Sequence, residues 1–583
     1  MSFLSRLMLL KSQAHFSAHS QRGGVSISAG TFKGSGKRKA ELARKRVGLM
    51  IAGFFVAYAV IGGRLVQYGY AQPEVVSSIL PADRLMASRP DILDRNGEVL
   101  ATDIRTVSLF AEPHKIVDPD EAVEKLATVL NDLDIKGTYK KLSNPRSHFQ
   151  WLRRQLTPKQ QSQILALGIP GIGFRPEKRR FYPGGSTASH IVGYVNIDNR
   201  GMAGMEKYID QQGLADLAAV GMTSDTPLEP VRLSIDLRVQ NIIRDVLVDA
   251  MAKFSAIGAG AVVIDAHTGE VLGMASIPDF DPNKPAEGAK EGWLNRMSNG
   301  TFEMGSTFKS FTVAMGLDEG KVNLNSTIDA RYPIRIGGFT IKDFHGKNRV
   351  LTVPEVFQYS SNIGTAKIAD LVGTEGHKAF LTKLGLLSRM QTELPEVAMP
   401  SQPREWKKIN SVTISFGHGV STTPLQTAVA GVALMNGGKY IPPTFLPRTR
   451  EQADQLAQQV IKPSTSDDMR HLFLVNGVKG SGKNARVEGF NVGGKTGTAD
   501  KVVNGRYVND KNFNAFLAAF PIDNPKYVVL TFIDEPKTDK GNGAALSGNS
   551  AAPMVRDIIR RSAAILGVEP SFGEDGSALL VSY

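Results

Sequence analysis

Three short motifs, far apart in the chain but in a fixed order, constrain this protein more than any other feature of its sequence. They are Ser306-Thr307-Phe308-Lys309, Ser360-Ser361-Asn362 and Lys495-Thr496-Gly497-Thr498. Together they contain the groups that a serine acyl-transfer site needs when a lysine, and not a histidine, accepts the proton of the nucleophile. The sequence therefore predicts a fold in which these three segments meet.

The first motif predicts a nucleophile and its base. A serine hydroxyl is a weak nucleophile at neutral pH and needs a base in hydrogen-bond contact. Residues three apart share one face of a helix, so a helix that starts at Ser306 places Lys309 one turn below it. The apolar spacing that follows predicts such a helix, and Gly305 allows the sharp turn into it. Lys309 acts as a base only if burial and a nearby positive charge, for which Lys495 is the candidate, lower its pKa.

The second motif is predicted to form a polar corner between two helices, over residues 353–359 and 363–372. We expect Ser360 to relay a proton between Lys309 and the leaving nitrogen, and Asn362 to hold Lys309 and the amide of the acyl donor. Taken alone, these residues are explained better as a capping serine and asparagine. Only the set of three motifs favours the catalytic interpretation.

The third motif follows Gly493-Gly494 and precedes a turn-rich segment, which predicts an edge strand leading into a hairpin. Gly497 would let a substrate backbone approach this strand. Lys495 and the hydroxyls of Thr496 and Thr498 would hold a carboxylate. The backbone N–H groups of Thr498 and Ser306 would form an oxyanion hole, in which the loss of one donor typically lowers the rate ~10²–10³-fold.

Residues 489–496 also satisfy the pattern of a phosphate-binding P-loop. A P-loop needs a buried strand before it and a helix after it. No helical apolar period follows Thr496, and no apolar strand ending in an acidic residue is evident. Nucleotide binding is therefore not expected.

The net charge of +13 is concentrated at the N-terminus. Residues 1–46 hold ten Lys and Arg against the single acid Glu41, which leaves only +4 for the rest of the chain, so nucleic-acid binding is not expected. The uncharged run Val47–Gly63, which Leu65-Val66 extend past Arg64, is long enough to span a bilayer. The positive-inside rule places residues 1–46 in the cytoplasm and the chain after about residue 70 outside it.

The chain has no cysteine, which excludes thiol chemistry and disulfides. Its ten histidines are scattered without the spacing of metal ligands, so no metal is expected. His418 is the only histidine in a segment that resembles a catalytic loop, Phe416–Gly419, and we interpret this histidine as structural.

A chain of 583 residues is too long for one hydrophobic core. We predict a basic tail (1–46), an anchor (47–69), a domain of short strands and turns (70–228), a larger domain (229–566) and a C-terminal tail (567–583). The smaller domain contains a hairpin around Asn96-Gly97. The larger one has strands first (261–265, 270–275) and last (513–521, 527–533), helices between them and a closing helix (551–566). This order predicts an α+β or a three-layer α/β domain.

Taken together, these features resemble the class B penicillin-binding proteins, from the anchor to about residue 565. Besides the anchor and the three motifs, the resemblance is carried by Arg89, residues 94–97, Gly201, Gly204, Glu206, residues 303–305 and Ser415–Gly419. Two departures are Met304, where many relatives have proline, and the long basic tail.

The resemblance implies an elongated pedestal of the dimerisation type beneath a penicillin-binding transpeptidase domain. That domain has the fold of the serine β-lactamases, a central antiparallel sheet covered by helices. It also implies that Ser306 attacks the penultimate D-Ala of a stem pentapeptide on lipid II-derived strands, releases the last D-Ala, and passes the acyl group to an amine of a neighbouring stem. β-Lactams would acylate the same serine, and no cofactor is needed.

The resemblance further implies that the chain is a single-pass inner-membrane protein whose periplasmic catalytic domain lies at the division septum. Its partners would be a SEDS-family glycosyltransferase and other divisome membrane proteins.

Three alternatives remain open. An elongation-specific transpeptidase is disfavoured by Ser360-Ser361-Asn362 and the compact outer part. A D,D-carboxypeptidase or β-lactamase would hydrolyse the acyl-enzyme, but no deacylating glutamate can be assigned by motif. An inactive scaffold or β-lactam sensor could lose Lys309, Ser360 or Lys495, and none is lost.

Overall fold

The computed structural model of the chain describes residues 48–64, 89–213, 228–284, 286, 294–503, 506–538 and 545–571. The chain divides into two compact units, Met1–Asp83 and Arg84–Tyr583. In the first unit, residues 48–64 form a helix, α1. No helix within the described ranges is both long enough and apolar enough to cross a bilayer. The predicted basic tail, the two ends of the predicted anchor and most of the C-terminal tail lie outside the described residues.

The second unit begins with a mixed α+β domain. Its strands are β1 (Ile92–Leu93), β2 (Val99–Ala111), β3 (Gln150–Leu156), β4 (Ile172–Phe181), β5 (Tyr194–Val195) and β6 (Gly201–Ala203). Its helices are α2 (Pro119–Val129), α3 (Ile135–Leu142), α4 (Pro158–Ala166), α5 (Ser189–Val192) and α6 (Gly204–Gln211). β2 is the central strand and pairs antiparallel with β1, β3 and β4.

The predicted hairpin around Asn96-Gly97 is present between β1 and β2. The buried carboxylate of Asp94 accepts hydrogen bonds from the N–H groups of Asn96 and Glu98, which fixes the turn. The domain nevertheless departs from the prediction of short strands, because β2 has 13 residues and β4 has 10. The two strands pair with each other over ten positions, and this pairing stabilises both long strands. The short strand β7 (Val231–Arg232) then pairs in parallel with β1.

A buried ionic cluster ties the ends of this domain together. We define the Glu206 cluster as Arg89, Asp103, Arg180, Glu206 and Asp210. The Glu206 carboxylate accepts from Arg180 Nε at 2.6 Å and from Arg89 Nε at 2.8 Å. Both arginines and Glu206 are almost completely buried, so these charges depend on one another for compensation.

The larger domain is built on one five-stranded sheet. Its strands are β8 (Gly258–Asp265), β9 (Val271–Ile277), β16 (Gly493–Val503), β17 (Arg506–Phe520) and β18 (Tyr527–Asp534). Their order is β16-β17-β18-β8-β9, and every pair is antiparallel. The predicted first and last strands of the domain are thus confirmed. Because β18 pairs with β8, the two ends of the domain meet in the middle of the sheet.

Helices cover both faces of this sheet. The helices are α7 (Leu237–Phe254), α8 (Lys309–Asp318), α9 (Val353–Gln358), α10 (Asn362–Val372), α11 (Thr374–Lys383), α12 (Lys408–Ile414), α13 (Pro424–Met435), α14 (Arg450–Leu456), α15 (Pro463–Lys479) and α16 (Ala551–Ser562). α7 and α16 pack on one face, and α8, α13 and α15 pack on the other. Successive residues of β8 show the alternation, since Val262 joins one core and Val263 the other. The domain is therefore α+β with an antiparallel sheet between helical layers.

Two-stranded antiparallel sheets complete the described part of the domain. They pair β10 (Thr327–Asp329) with β13 (Val350–Thr352), β11 (Ile334–Ile336) with β12 (Phe339–Ile341), and β14 (Lys439–Tyr440) with β15 (Gln458–Gln459). The β11–β12 hairpin buries Ile341 against Ala366 of α10 and Val412 of α12. This packing fixes the segment that precedes the second motif.

Candidate active site

The turn that carries Ser306 packs directly against the edge strand β16. Ser306 lies in a single 3₁₀ turn, Gly305–Phe308, and the α-helix begins at Lys309, so the predicted helix starts three residues later than expected. Gly305 has φ +52°, and a β-carbon there would lie 2.5 Å from the Thr498 carbonyl oxygen. This approach requires glycine at position 305.

Gly497 also lies at the contact between the Ser306 turn and β16. A β-carbon on Gly497 would lie 2.3 Å from the carbonyl oxygen of Met304 and 2.7 Å from the Thr307 side chain. The sequence predicts that this glycine admits a substrate backbone, but the space beside it is filled by the turn of the nucleophile. The glycine is therefore explained by the contact between the first and third motifs.

Ser360 holds the two buried lysines of the site together. Lys309 Nζ donates to Ser360 Oγ at 3.0 Å, to the Ser360 carbonyl and to Asn362 Oδ1 at 2.7 Å. Lys495 Nζ donates to the same Ser360 Oγ at 3.0 Å. A hydroxyl has two acceptor sites, so its own proton remains free to be donated into the cleft. The structure thus brings the three predicted motifs together around one oxygen atom.

Both lysines have pKa values shifted in the direction that a base requires. Burial lowers the pKa of Lys309 well below its usual value, and the charge of Lys495 lowers it further. Burial also lowers the pKa of Lys495 to about 7. No hydrogen bond joins Ser306 Oγ to Lys309 Nζ among the described residues, so proton transfer from Ser306 to Lys309 stays a prediction.

The capping interpretation of the second motif is correct for one of its residues. Ser361 is the N-cap of α10, and its hydroxyl accepts from the Gly364 N–H at 2.8 Å. Ser360 instead has a left-handed backbone with φ +56°, which turns its hydroxyl and carbonyl toward Lys309. Neighbouring serines therefore have different roles, one structural and one at the site.

Asp343 holds the second motif in place, and no sequence motif identifies this residue. Its carboxylate accepts from Ser361 Oγ at 2.7 Å and from the Ile363 N–H at 2.9 Å. The neighbouring Lys342 carbonyl accepts from Asn362 Nδ2 at 2.9 Å. One available signal was that Asp343 is the single acid between residues 330 and 354, a stretch with five Lys and Arg.

Replacing Asp343 with asparagine should change the pH dependence of acylation. The charge of Asp343 raises the pKa of Lys309, so its removal lowers that pKa further. A neutral Lys309 that acts as the predicted base makes the acylation rate rise with pH through this pKa. The inflection should therefore lie well below pH 10.5 in the wild type and at a still lower pH in Asp343→Asn, as measured by rapid-mixing penicillin acylation across pH.

Asp329→Asn is the matched control for this experiment, since Asp329 lies in the neighbouring strand β10 and pairs with Arg331. It should leave the inflection where the wild type has it. An unchanged inflection in Asp343→Asn, or one at higher pH, would show that Asp343 does not act on Lys309.

Two further hydroxyl contacts of the third motif come from distant segments. Ser481 Oγ lies 2.6 Å from Thr496 Oγ1, and Thr498 Oγ1 accepts from the Ser547 N–H at 3.3 Å. Neither Ser481 nor Ser547 belongs to a recognisable pattern.

β16 continues as a strand beyond Thr496 to Val503, where a P-loop would need a helix.

A second polar group lies beside the nucleophile turn. The Glu303 carboxylate accepts from the Gly419 N–H at 2.8 Å and from the Tyr507 hydroxyl at 3.2 Å. The ring of His418 packs against Tyr507 at 5.6 Å between centroids. Burial and the charge of Lys309 lower the pKa of His418 to about 4, so its imidazole is neutral at neutral pH. His418 therefore adds no charge to the site.

The geometry is that of a lysine-assisted serine acyl-transfer site. In the part of the chain that the structure describes, no cluster of three or more His, Asp or Glu side chains is arranged to hold a metal ion. The groups that meet are a serine on a tight turn, two buried lysines and a hydroxyl between them.

Comparison with known families gives two matches along the chain. The Penicillin binding protein transpeptidase domain matches residues 259–560, and the Penicillin-binding Protein dimerisation domain matches residues 84–218. The first match contains all three motifs, and the second contains all five residues of the Glu206 cluster.

Individual relatives are similar over nearly the same span. The chain is 39% identical over 501 residues to a probable peptidoglycan D,D-transpeptidase FtsI of Caulobacter vibrioides, covering 84% of this chain and 83% of the relative. It is 32% identical to a probable peptidoglycan D,D-transpeptidase PenA of Neisseria gonorrhoeae, covering 90% and 94%. It is 30% identical to the peptidoglycan D,D-transpeptidase FtsI of Escherichia coli K12, covering 90% and 92%. The chain therefore belongs to the class B penicillin-binding proteins, with a dimerisation domain followed by a transpeptidase domain.

Proposed function

We propose that this protein is a serine D,D-transpeptidase that cross-links peptidoglycan stem peptides during septal wall synthesis. The observation that carries the proposal is Ser360 Oγ, which lies 3.0 Å from both Lys309 Nζ and Lys495 Nζ. The names of the relatives, peptidoglycan D,D-transpeptidases FtsI and PenA, support both the activity and the septal role.

In the first half-reaction, neutral Lys309 takes the proton of Ser306 Oγ as that oxygen attacks the carbonyl carbon of the penultimate D-Ala. The N–H groups of Ser306 and Thr498 stabilise the oxyanion. The C–N bond then breaks, and Ser360 delivers a proton to the leaving D-Ala amine while it regains one from Lys309. Lys495 and the hydroxyls of Thr496 and Thr498 hold the terminal carboxylate of the donor.

In the second half-reaction, an amine of a neighbouring stem attacks the ester carbonyl. Its proton leaves by the same route in reverse, and the ester C–O bond breaks to regenerate the Ser306 hydroxyl. Asn362 holds the donor amide and Lys309 through both steps. β-Lactams would enter the same route and stop at the acyl-enzyme, because their leaving nitrogen stays tethered to the acyl group.

The membrane topology is part of the proposal. The basic segment 1–46 is followed by the uncharged run 47–63, which supports a cytoplasmic tail, an anchor over 47–69 and a periplasmic remainder. We place the pedestal at 70–228, the transpeptidase domain at 229–566 and a tail at 567–583. Polytopic divisome proteins, a SEDS-family glycosyltransferase among them, would contact the anchor and pedestal in the inner membrane.

The first test combines labelling with product analysis on the full-length chain purified in detergent. With a fluorescent penicillin, the wild type should give a covalent label that persists for many minutes, and with uncross-linked strands it should give cross-linked stem dimers. A label that vanishes within seconds would identify a hydrolase. An absence of both label and dimers would identify a scaffold.

Division and elongation transpeptidases share this chemistry, so the cellular role needs its own readout. A fluorescent fusion should concentrate at the division site, and depletion should produce filaments. Distribution along the side wall with rounded cells would instead assign the protein to elongation.

A further inference from the structure

A strip of exposed aromatic and basic side chains lies beside the second motif and has no role in the acyl-transfer steps. We call it the rim and define it as Tyr332, Arg335, Phe339, Lys342, Phe344 and Lys347. Tyr332 is 70% exposed, Phe339 68% and Phe344 77%. Monomeric proteins seldom leave several large aromatic side chains this exposed in one segment unless a partner covers them.

Three contacts place the last part of the rim, residues 342–347, beside the second motif. The Lys342 carbonyl accepts from Asn362 Nδ2, and the Asp343 carboxylate accepts from the Ser361 hydroxyl. Lys347 Nζ lies 4.8 Å from the ring centroid of Tyr359, next to Ser360. Because Phe344 lies in the chain between these contacts, it lies beside the second motif.

The same segment carries uncompensated positive charge. Residues 330–350 contain five Lys and Arg against Asp343 alone, and Asp343 is engaged with the second motif. Arg331 is paired with Asp329 and Arg349 with Glu355. Arg335, Lys342 and Lys347 form no ion pair with any other residue in the described ranges. An anionic partner would therefore be favoured at this surface.

We propose that the rim binds the glycan strand of the peptidoglycan whose stem peptide occupies the cleft. The flat C–H faces of the sugars stack on Tyr332, Phe339 and Phe344, and the free carboxylates of the stems along the strand pair with Arg335, Lys342 and Lys347. This inference rests on the proposed function, because a stem held beside Ser306 and Ser360 must lead its glycan out past the adjoining surface.

The test measures binding and acylation on the same full-length preparations. The binding probe is a soluble, uncross-linked glycan strand, used once with its stem peptides and once after their enzymatic removal. Phe344→Ala should weaken binding of both probes about tenfold, the loss of one well-placed aromatic contact. Phe344→Trp should restore it, because an aromatic face is retained.

The charge arm uses Lys347→Glu. This variant should weaken binding of the strand with stems about tenfold at low salt, with a smaller effect at high salt. Removal of each stem leaves one lactyl carboxylate on the glycan, so binding of the stripped strand should be weakened by a smaller factor. Lys383→Glu, which changes an exposed lysine at the end of α11, is the charge-matched control and should bind both probes like the wild type.

Penicillin labelling separates this inference from the proposed function. If the rim variants bind strands as tightly as the wild type while all preparations still label, the inference is wrong and the proposed function stands. If no preparation labels, the proposed function has failed first. Weakened strand binding with an acylation rate within about twofold of the wild type supports the rim as a strand-binding surface.

Discussion

Replacing Ser306 with alanine is expected to abolish covalent labelling by penicillin and to lower the rate of stem cross-linking by at least about 10⁴-fold. The hydroxyl of Ser306 forms the only bond between enzyme and acyl group in the proposed route, so no other group can substitute for it. Lys309, Ser360 and Lys495 remain in place in this variant, but without the nucleophile they have no proton to move. The measurement is a fluorescent-penicillin gel together with quantification of cross-linked stem dimers.

Ser310→Ala is the matched control for this substitution. Ser310 lies next to Lys309 in α8, it is buried, and its hydroxyl has no hydrogen-bond partner among the described residues. Removing an unpartnered buried hydroxyl is neutral or mildly stabilising, so this variant should label and cross-link like the wild type. Persistent labelling of Ser306→Ala would move the nucleophile elsewhere, whereas loss of labelling in both variants would indicate damage to α8 and leave the assignment of Ser306 without support.

The elements that carry strong local signals could be predicted from the sequence. Apolar runs predicted β8, β9, β17 and β18, and the position of the third motif between Gly493-Gly494 and a turn-rich segment predicted the edge strand β16. α13 begins with a local signal of the same kind, because Thr423 is its N-cap and the Thr423 hydroxyl accepts from the Gln426 N–H. Such features depend on residues close in sequence, which is why a single chain reveals them.

The residues that support the site could not be predicted in the same way. Asp343 reaches Ser361 across 18 residues, and Ser481 reaches Thr496 across 15, through side-chain contacts that no periodicity encodes. The start of α8 at Lys309 also depends on a tertiary contact, since the preceding 3₁₀ turn is held between Gly497 and the Ser415–Gly419 loop. Tertiary packing determines these details, and the local conformational propensities of the residues are compatible with it.

Replacing Glu206 with alanine is expected to destabilise the fold by about 3–5 kcal/mol, the usual cost of leaving a buried charge without its partner. The side chains of Arg180 and Glu206 are 0% exposed, and that of Arg89 is 3% exposed. In the variant, two guanidinium groups lose their shared carboxylate. Asp103, at 3.2 Å from Arg180, and Asp210, at 2.6 Å from Arg89, compensate only part of that charge. The measurement is the first transition in urea unfolding of the full-length chain.

Asp132→Ala provides the contrast, because Asp132 pairs with Arg153 at the surface of the same domain with 67% and 38% of the two side chains exposed. Solvent screens that pair, so its loss should leave the transition where the wild type has it. Glu206→Gln should fall between the two, since an amide can accept one of the hydrogen bonds but cannot neutralise either arginine. Equal transitions for Glu206→Ala and Asp132→Ala would mean that water or rearranged acids reach the arginines. The Glu206 cluster would then contribute little to the free energy of unfolding. Its contacts between residues 89 and 210 would not explain how the ends of the domain are held together.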